Sequence, residues 1–367
     1  MGTDRLARAQ RAVARACAGA STVVELCRAV HREVDAIVPS DRWCAFAVDP
    51  ATTISTNGYH DEGIDEALLP RLLELEHGAD DLNLLPDLAR RPGGVATISQ
   101  AAGGDPAVSA RWRDVLEPSG VPHELRAVFR DRGQVWGAMV LMRGDDAGDF
   151  SRQDAAFVSG LGPTIAEGFR RVLVRQHLDH ADDAREAGVL VLAGDPLEVR
   201  WITGAAQAWL DELDDGTFGG GLPAVVRSAA LAARHAGAAP ATLRARTRSG
   251  RWLTFTAERT AGAADEVGVV VQPSRPAEVG LVLSAAHGLT RRETEVVLLV
   301  AAGRTNGEIA RLLALSPYTV ADHLKSAFAK VGVASRGELV STLFYDHYLG
   351  RAVAGLPAGA DGWFLPG

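Results

Sequence analysis

The sequence predicts two successive α+β regions, each an antiparallel sheet with helices, followed by an all-α four-helix domain. Three observations carry that order. Residues 289–340 hold four short apolar-periodic segments separated by dense helix stop and start signals. Two blocks of short β-rich runs bounded by Gly, Pro and Asp precede them. A long amphipathic stretch after Ser151 divides those two blocks. At 367 residues the chain has room for two to three domains of about 150 residues each.

The first region, residues 1–187, opens with predicted helices over Asp4–Ala18 and Thr22–Val38. Strands follow at Trp43–Val48 and near Thr52–Tyr59, then a helix over Ile64–Glu76, a loop rich in Asp, Asn and Pro, and a short strand at Val95–Ser99. His123–Arg130 and Gln134–Arg143 flank Asp131, Arg132 and Gly133, a hairpin-turn composition. Phe150, Ser151 and Asp154 then start a long helix toward Ala187, with an apolar residue ahead of the cap. Its stripe of Phe157, Leu161, Ile165, Phe169, Val172 and Leu173 suits either dimerisation or packing on its own domain.

In the second region, residues 188–273, Val189–Ala193 and Glu198–Ile202 flank Asp195 and Pro196 as a candidate hairpin. A short helix at Ala205–Leu210 and strands at Ala241–Thr247, Trp252–Ala257 and Val267–Val271 complete it. Residues 274–280 read as a linker, and 351–367, rich in Gly, Ala and Pro, as a flexible tail.

Between them, residues 281–350 form the helical domain. Thr290, Thr305 and Ser335 each stand three residues before a glutamate, the spacing of a capping box in which hydroxyl and carboxylate satisfy each other's orphan amides. Ser316 with Pro317 at the first helical position opens a fourth helix. Gly303 and Gly332 stand where helix ends favour positive φ. Ile309, Leu312 and Leu313 are expected to face inward from one helix, and Val320, Leu324, Phe328 and Val331 from the next. The second helix then offers Tyr318, Thr319, Ala321, Asp322, Lys325, Ser326, Ala329 and Lys330 outward. A short helix, a tight turn and a helix with a polar, partly basic face make the helix-turn-helix geometry, whose second helix enters the major groove.

This segment resembles the DNA-binding domain of the LuxR family of bacterial transcription regulators. Matching positions include Leu289, Thr290, Arg292, Glu293, Glu295, Gly303, Asn306, Glu308, Ile309, Ala310, Leu313, Ser316, Thr319, Val320, His323, Lys330, Gly332, Val333, Ser335 and Arg336. The resemblance implies double-stranded DNA as partner, a homodimer reading paired half-sites, and RNA polymerase as a further partner. The residues it implies for DNA contact are Ser316, Tyr318, Thr319, Val320, Ala321, Asp322, His323, Lys325, Lys330 and Arg336. Two of them depart from the family, which often carries a long polar or basic residue where Ala321 precedes Asp322. Alanine can touch a thymine methyl and aspartate can accept from cytosine N4, but neither makes the bidentate guanine contact of Arg.

The hairpin at 123–143 and the Phe150, Ser151, Asp154 helix start resemble a GAF domain, and the strand and helix order of 188–273 is similar to a PAS domain. A GAF-like sheet implies a pocket for a small-molecule effector, with Trp43, Phe46, Trp112, Trp136 and Met139 as candidate lining residues. Neither resemblance names a cofactor.

Composition narrows the function classes. The net charge of −8 confines DNA affinity to one face of one module. Lys325 and Lys330 are the only lysines, so a phosphate-binding GxxxxGK loop is excluded and a lysine-dependent receiver domain is disfavoured. No GxSxG, HExxH or strand-linked GxGxxG motif occurs, and no catalytic residues are assigned. Cys17, Cys27 and Cys44 lack CxxC spacing and read as reduced thiols; Cys27 with His31 is too sparse for a metal site. The N-terminus runs into an amphipathic pattern and no apolar run reaches the ~18 residues of a membrane span, so a cytoplasmic protein is expected. The expectation is a signal-responsive, one-component transcription regulator. An acyl-homoserine-lactone-type quorum regulator and a GAF/PAS protein-binding scaffold are the alternatives.

Overall fold

The computed structural model describes residues 3–61, 64–65, 67–78, 81–175, 187–213, 222–235, 239–248, 251–260 and 266–345. They fall into two compact units, one ending at residue 272 and holding both sheets, the other starting at residue 273.

In the first unit, α1 (Thr3–Gly19) and α2 (Val23–Asp35) precede β1 (Arg42–Val48) and β2 (Ser55–Asp61). Then come α3 (Leu69–His77), α4 (Leu85–Arg90), β3 (Val95–Thr97), α5 (Ile98–Ala101), β4 (His123–Asp131), β5 (Gln134–Arg143) and α6 (Arg152–Arg175). The sheet order is β2-β1-β5-β4-β3, antiparallel in every pair whose register is resolved. The hairpin between β4 and β5 turns through Arg132 and Gly133, both at positive φ (51° and 81°), the conformation that matches strand twist in two-residue turns. Ser151 and Asp154 exchange the two bonds of a capping box, at 3.1 and 2.9 Å, before α6.

All six apolar residues of the α6 stripe are buried within the chain, where the helix packs on α1, α2, β4 and β5. That burial removes the stripe as a dimer interface over the described length of the helix. Its expected continuation toward Ala187 lies outside the described residues. Around α4 the Asp, Asn and Pro content suggests a loop, yet Pro86 sits in the first turn, where a missing amide is harmless, and Leu85 and Leu88 are buried.

The second sheet is built from β6 (Gly188–Ala193), β7 (Glu198–Ile202), β8 (Ala241–Arg246), β9 (Trp252–Arg259) and β10 (Glu266–Pro273), with α7 (Gly204–Leu210) and α8 (Ala224–His235) between β7 and β8. Its order, β7-β6-β10-β9-β8, repeats that of the first sheet when strands are counted from each module's start. α8 carries apolar residues on nearly all sides and is buried accordingly.

The two sheets share one unit. Asp49, after β1, accepts from the Arg244 amide (2.9 Å) and guanidinium (3.3 Å), and Ser55 Oγ lies 3.2 Å from Ser228 Oγ of α8. Ile54 and Leu73 pack into the second sheet's core.

The second unit contains α9 (Pro276–Ala286), α10 (Arg291–Ala301), α11 (Asn306–Leu312), α12 (Pro317–Val331) and α13 (Arg336–Val340). The stretch expected as a linker at 274–280 is therefore helical from Pro276 onward. Its start signal is Pro at the first position plus Glu278 Oε2 accepting from the Arg275 amide at 3.0 Å, with no hydroxyl cap to announce it. Gly280 of α9 lies against the Phe344 ring; a β-carbon there would approach it to 2.2 Å.

Candidate nucleic-acid interface and ligand cavity

Local sequence sets α12 firmly. Ser316 Oγ accepts from the Thr319 amide at 3.1 Å, Pro317 fills the first position, and Gly332 closes the helix in the left-handed region at φ 81°. Thr290 and Thr305 form reciprocal capping boxes with Glu293 and Glu308. At α13 the box is displaced by one: Ser335 accepts from the Glu338 amide, while Glu338 accepts from the Ala334 amide at 2.8 Å. The turn from α11 to α12 passes through Ala314 at φ 53°, a strained choice for a residue with a β-carbon. Arg292 on α10 fastens that turn by donating to the Leu313 carbonyl at 2.8 Å, a task no sequence spacing reveals.

α12 packs Val320, Leu324 and Ala327 inward against α10 and α11. Its other side exposes Tyr318, Ala321, Asp322, Lys325 and Ala329, with Thr319 and His323 half-buried beside them. Five expected positions turn out differently. Val320 has no exposed surface and belongs to the core, so it is no DNA contact. Leu312, expected to face inward, is 61% exposed: it lies two positions after buried Ala310 and thus on the opposite side of α11. Lys330 and Ser326 turn back to Glu293 of α10. Lys330 Nζ lies 2.6 and 2.8 Å from the two carboxylate oxygens, and Ser326 Oγ donates at 2.6 Å.

Glu293 is the anchor of this contact. Burial pushes its pKa up, but the bonds from Lys330, Ser326 and Thr290 outweigh burial and hold it at about 2. Arg336 is likewise engaged, donating to Asn306 Oδ1 at 3.1 Å and to the Arg304 carbonyl. Lys325 is exposed and makes no ion pair among the described residues.

In the first unit a cavity of about 130 Å³ lies among the β1–β2 turn, α3, one face of the first sheet and the start of α8. Of the five aromatic and Met candidates, Phe46 alone lines it. Strand alternation explains this: Cys44, Phe46, Val140 and Met142 share the cavity face, whereas Trp43, paired with Leu141, and Met139, paired with Ala45, lie on the other. There Trp43 stacks on His31 with ring centroids 3.9 Å apart. Trp136 is fully buried away from the cavity, and Trp112 donates through Nε1 to the Pro122 carbonyl at 3.0 Å.

Buried charges sit beside the cavity. Arg111 grips Glu124 at 2.9 and 3.2 Å, and Arg126 donates to Glu76 at 2.6 Å and to the Asn83 carbonyl at 3.1 Å. Desolvation alone would raise the Glu76 pKa, yet the two arginines and the Leu85 amide bring it below the usual carboxylate range. His77 is drawn down to about 4 by burial, against the pull of Glu76. Burial pushes the thiols of Cys17 and Cys44 up to about 12 and raises Cys27 as well, which leaves them protonated and unreactive at neutral pH. Among the described residues no group of three or more His, Cys, Asp or Glu side chains could hold a metal ion. Nor is any helix among them long and apolar enough to cross a membrane.

With this geometry in view, residues 287–343 match the family of bacterial regulatory proteins named luxR. A protein named as an HTH-type transcriptional regulator of Mycobacterium bovis is 50% identical over 52 residues, 14% of this chain and 6% of that protein. The response regulatory protein YgeK of Escherichia coli is 44% identical over 59 residues, 16% of this chain and 40% of its own. The monoamine regulon transcriptional regulator of Klebsiella aerogenes is 49% identical over 53 residues, 14% of this chain and 23% of its own. The chain thus spans less than half the length of each of these relatives. The helices around α10 to α13 are a LuxR-family helix-turn-helix domain.

Proposed function

We propose that the chain is a sequence-specific, one-component transcription regulator that binds double-stranded DNA as a homodimer through α12, under control of a signal received by its sheet-bearing unit. The observation that carries this reading is the two-sidedness of α12. Its inner side is fixed by apolar burial and the Glu293 contact, and its outer side leaves Tyr318, Ala321, Asp322 and Lys325 free to meet a groove. The base-reading set is then Tyr318, Thr319, Ala321, Asp322 and His323, with Lys325 and Ser316 toward phosphate. Lys330 and Arg336 act by holding the domain together. The shared strand order of the two sheets supports a GAF-like first module and a PAS-like second one.

The test is selection of bound fragments from the source genome by the full-length protein at low and moderate salt. Enrichment of a short inverted repeat is the expected result. Absence of any enriched sequence under both conditions would remove the reading and favour a protein-binding scaffold, for which Val199 and Trp201, exposed on edge strand β7, are the supporting observation.

A further inference from the structure

The cavity in the first unit carries two polar atoms that the protein itself leaves without a partner. Arg126 is 4% exposed, and its two terminal nitrogens are taken by Glu76 and the Asn83 carbonyl, but its Nε–H is buried and unbonded. His77 Nε2 is in the same condition. Both residues line the cavity. A buried donor left unmatched in a well-packed fold calls for an explanation, and a bound acceptor supplies one.

The charges around these atoms decide what sort of acceptor fits. Arg111 and Arg126 face three carboxylates, Glu76, Glu124 and Asp81; Asp81 Oδ2 accepts from the Arg111 amide at 2.7 Å. The cluster therefore offers an anion no net attraction, and a buried anion would have to shed its hydration for nothing. The remaining walls are mostly apolar, among them Phe46, Leu72, Leu116, Val140 and Val225. An engineered apolar cavity of about 150 Å³ takes up benzene, so the space here suits a ligand of roughly six to ten non-hydrogen atoms.

We propose that this cavity binds a neutral, single-ring-sized molecule with a carbonyl or ring-nitrogen acceptor, its apolar body against Phe46, Leu72 and Val140 and its acceptor on Arg126 Nε. The inference rests on the signal-responsive reading above and names the chemical class of the signal. Ala224 and Val225 at the start of α8 belong to the second sheet's module and close the cavity on one side. A ligand there touches both modules.

The test titrates the full-length protein, without DNA, with benzamide, toluene and benzoate by calorimetry. Benzamide should bind about tenfold or more tighter than either of the others, because only it combines an acceptor with neutrality. Leu72→Trp, which fills the cavity from half-buried α3, should abolish the heat. Arg126→Lys, which keeps the charge opposite Glu76 but removes Nε, should weaken benzamide about tenfold and leave toluene unchanged. Should Arg126→Lys fail to fold, the ranking of the three probes and the Leu72→Trp result still decide. Toluene equal to benzamide, benzoate tightest, binding that survives Leu72→Trp, or no binding by any probe would each overturn the proposal. None of these outcomes touches the DNA-binding reading, which fragment selection tests on its own.

Discussion

Replacing Lys330 with methionine keeps most of the side chain's reach and removes its charge. In the native domain the ammonium contacts both oxygens of Glu293, whose side chain is 5% exposed against 29% for Lys330. Exposed ion pairs contribute about 0–1 kcal/mol, whereas stripping one partner from a buried pair costs about 3–5 kcal/mol. Here the buried member is the one left behind, and it keeps its bonds from Ser326 and the Thr290 amide. A loss of about 2–3 kcal/mol at pH 7 follows, read as a lower urea midpoint for the second unit.

The pH dependence gives an internal check. The folded pKa of Glu293 is depressed to about 2 from an ordinary 4.5, so its stabilising effect is complete above about 4.5 and fades as pH falls toward 2. The penalty of Lys330→Met should shrink through the same window. DNA affinity should retain its salt slope in this variant, while Lys325→Ala should flatten that slope by about 1.8, one phosphate contact from each protomer of the proposed dimer. If Lys330→Met left stability within about 0.5 kcal/mol of the parent and flattened the salt slope as Lys325→Ala does, the assignment of Lys330 to the interior of the domain would be wrong.

Other perturbations separate the remaining parts. Ser316→Ala should cost about 1 kcal/mol through loss of the α12 cap, seen as faster amide exchange in the helix's first turn. Ala321→Arg or Asp322→Ala should change the sequence recovered by fragment selection without unfolding the protein; recovery of the same site by both variants would take these residues out of the reading set. Gly280→Ala should destabilise by about 1–3 kcal/mol because its β-carbon meets the Phe344 ring, and Phe344→Leu in the same chain should recover part of the loss in thermal denaturation. His77, neutral when folded with its pKa drawn down to about 4, contributes fully above about 6.5 and progressively less as pH falls toward 4. A His77→Leu variant should therefore show a flatter stability profile between those values.

Much of the helical domain was legible because its signals are local. Thr290 and Glu293, Thr305 and Glu308, and Ser316 with Pro317 are short-range pairs whose chemistry is complete within one helical turn. What stayed hidden depends on distance along the chain. Nothing within one turn of Lys330 tells that its partner is 37 residues earlier, so it reads as a phosphate contact. The outward turn of Leu312 is not legible because α11 is too short for periodicity to fix its buried side. In the sheets, strand positions followed alternation and turn residues closely. The cavity did not, although one clue was available: Trp43 and Phe46 differ by three positions on β1 and so fall on opposite faces. α9 is hard to tell from a linker because Arg275 and Pro276 suit either; Pro276 at the first helical position and the Glu278 back-bond together mark the helix start.

The scarcity of lysine has a practical and chemical consequence. The chain holds two, and one of them is clasped by Glu293. Reagents or enzymes that acylate side-chain amines therefore meet one readily accessible target, Lys325, on the outward side of α12. Acylating that single nitrogen would erase the domain's one exposed ammonium and leave the many arginines untouched, concentrating the side-chain amine reactivity of a 367-residue chain in the few ångströms where it is proposed to touch DNA.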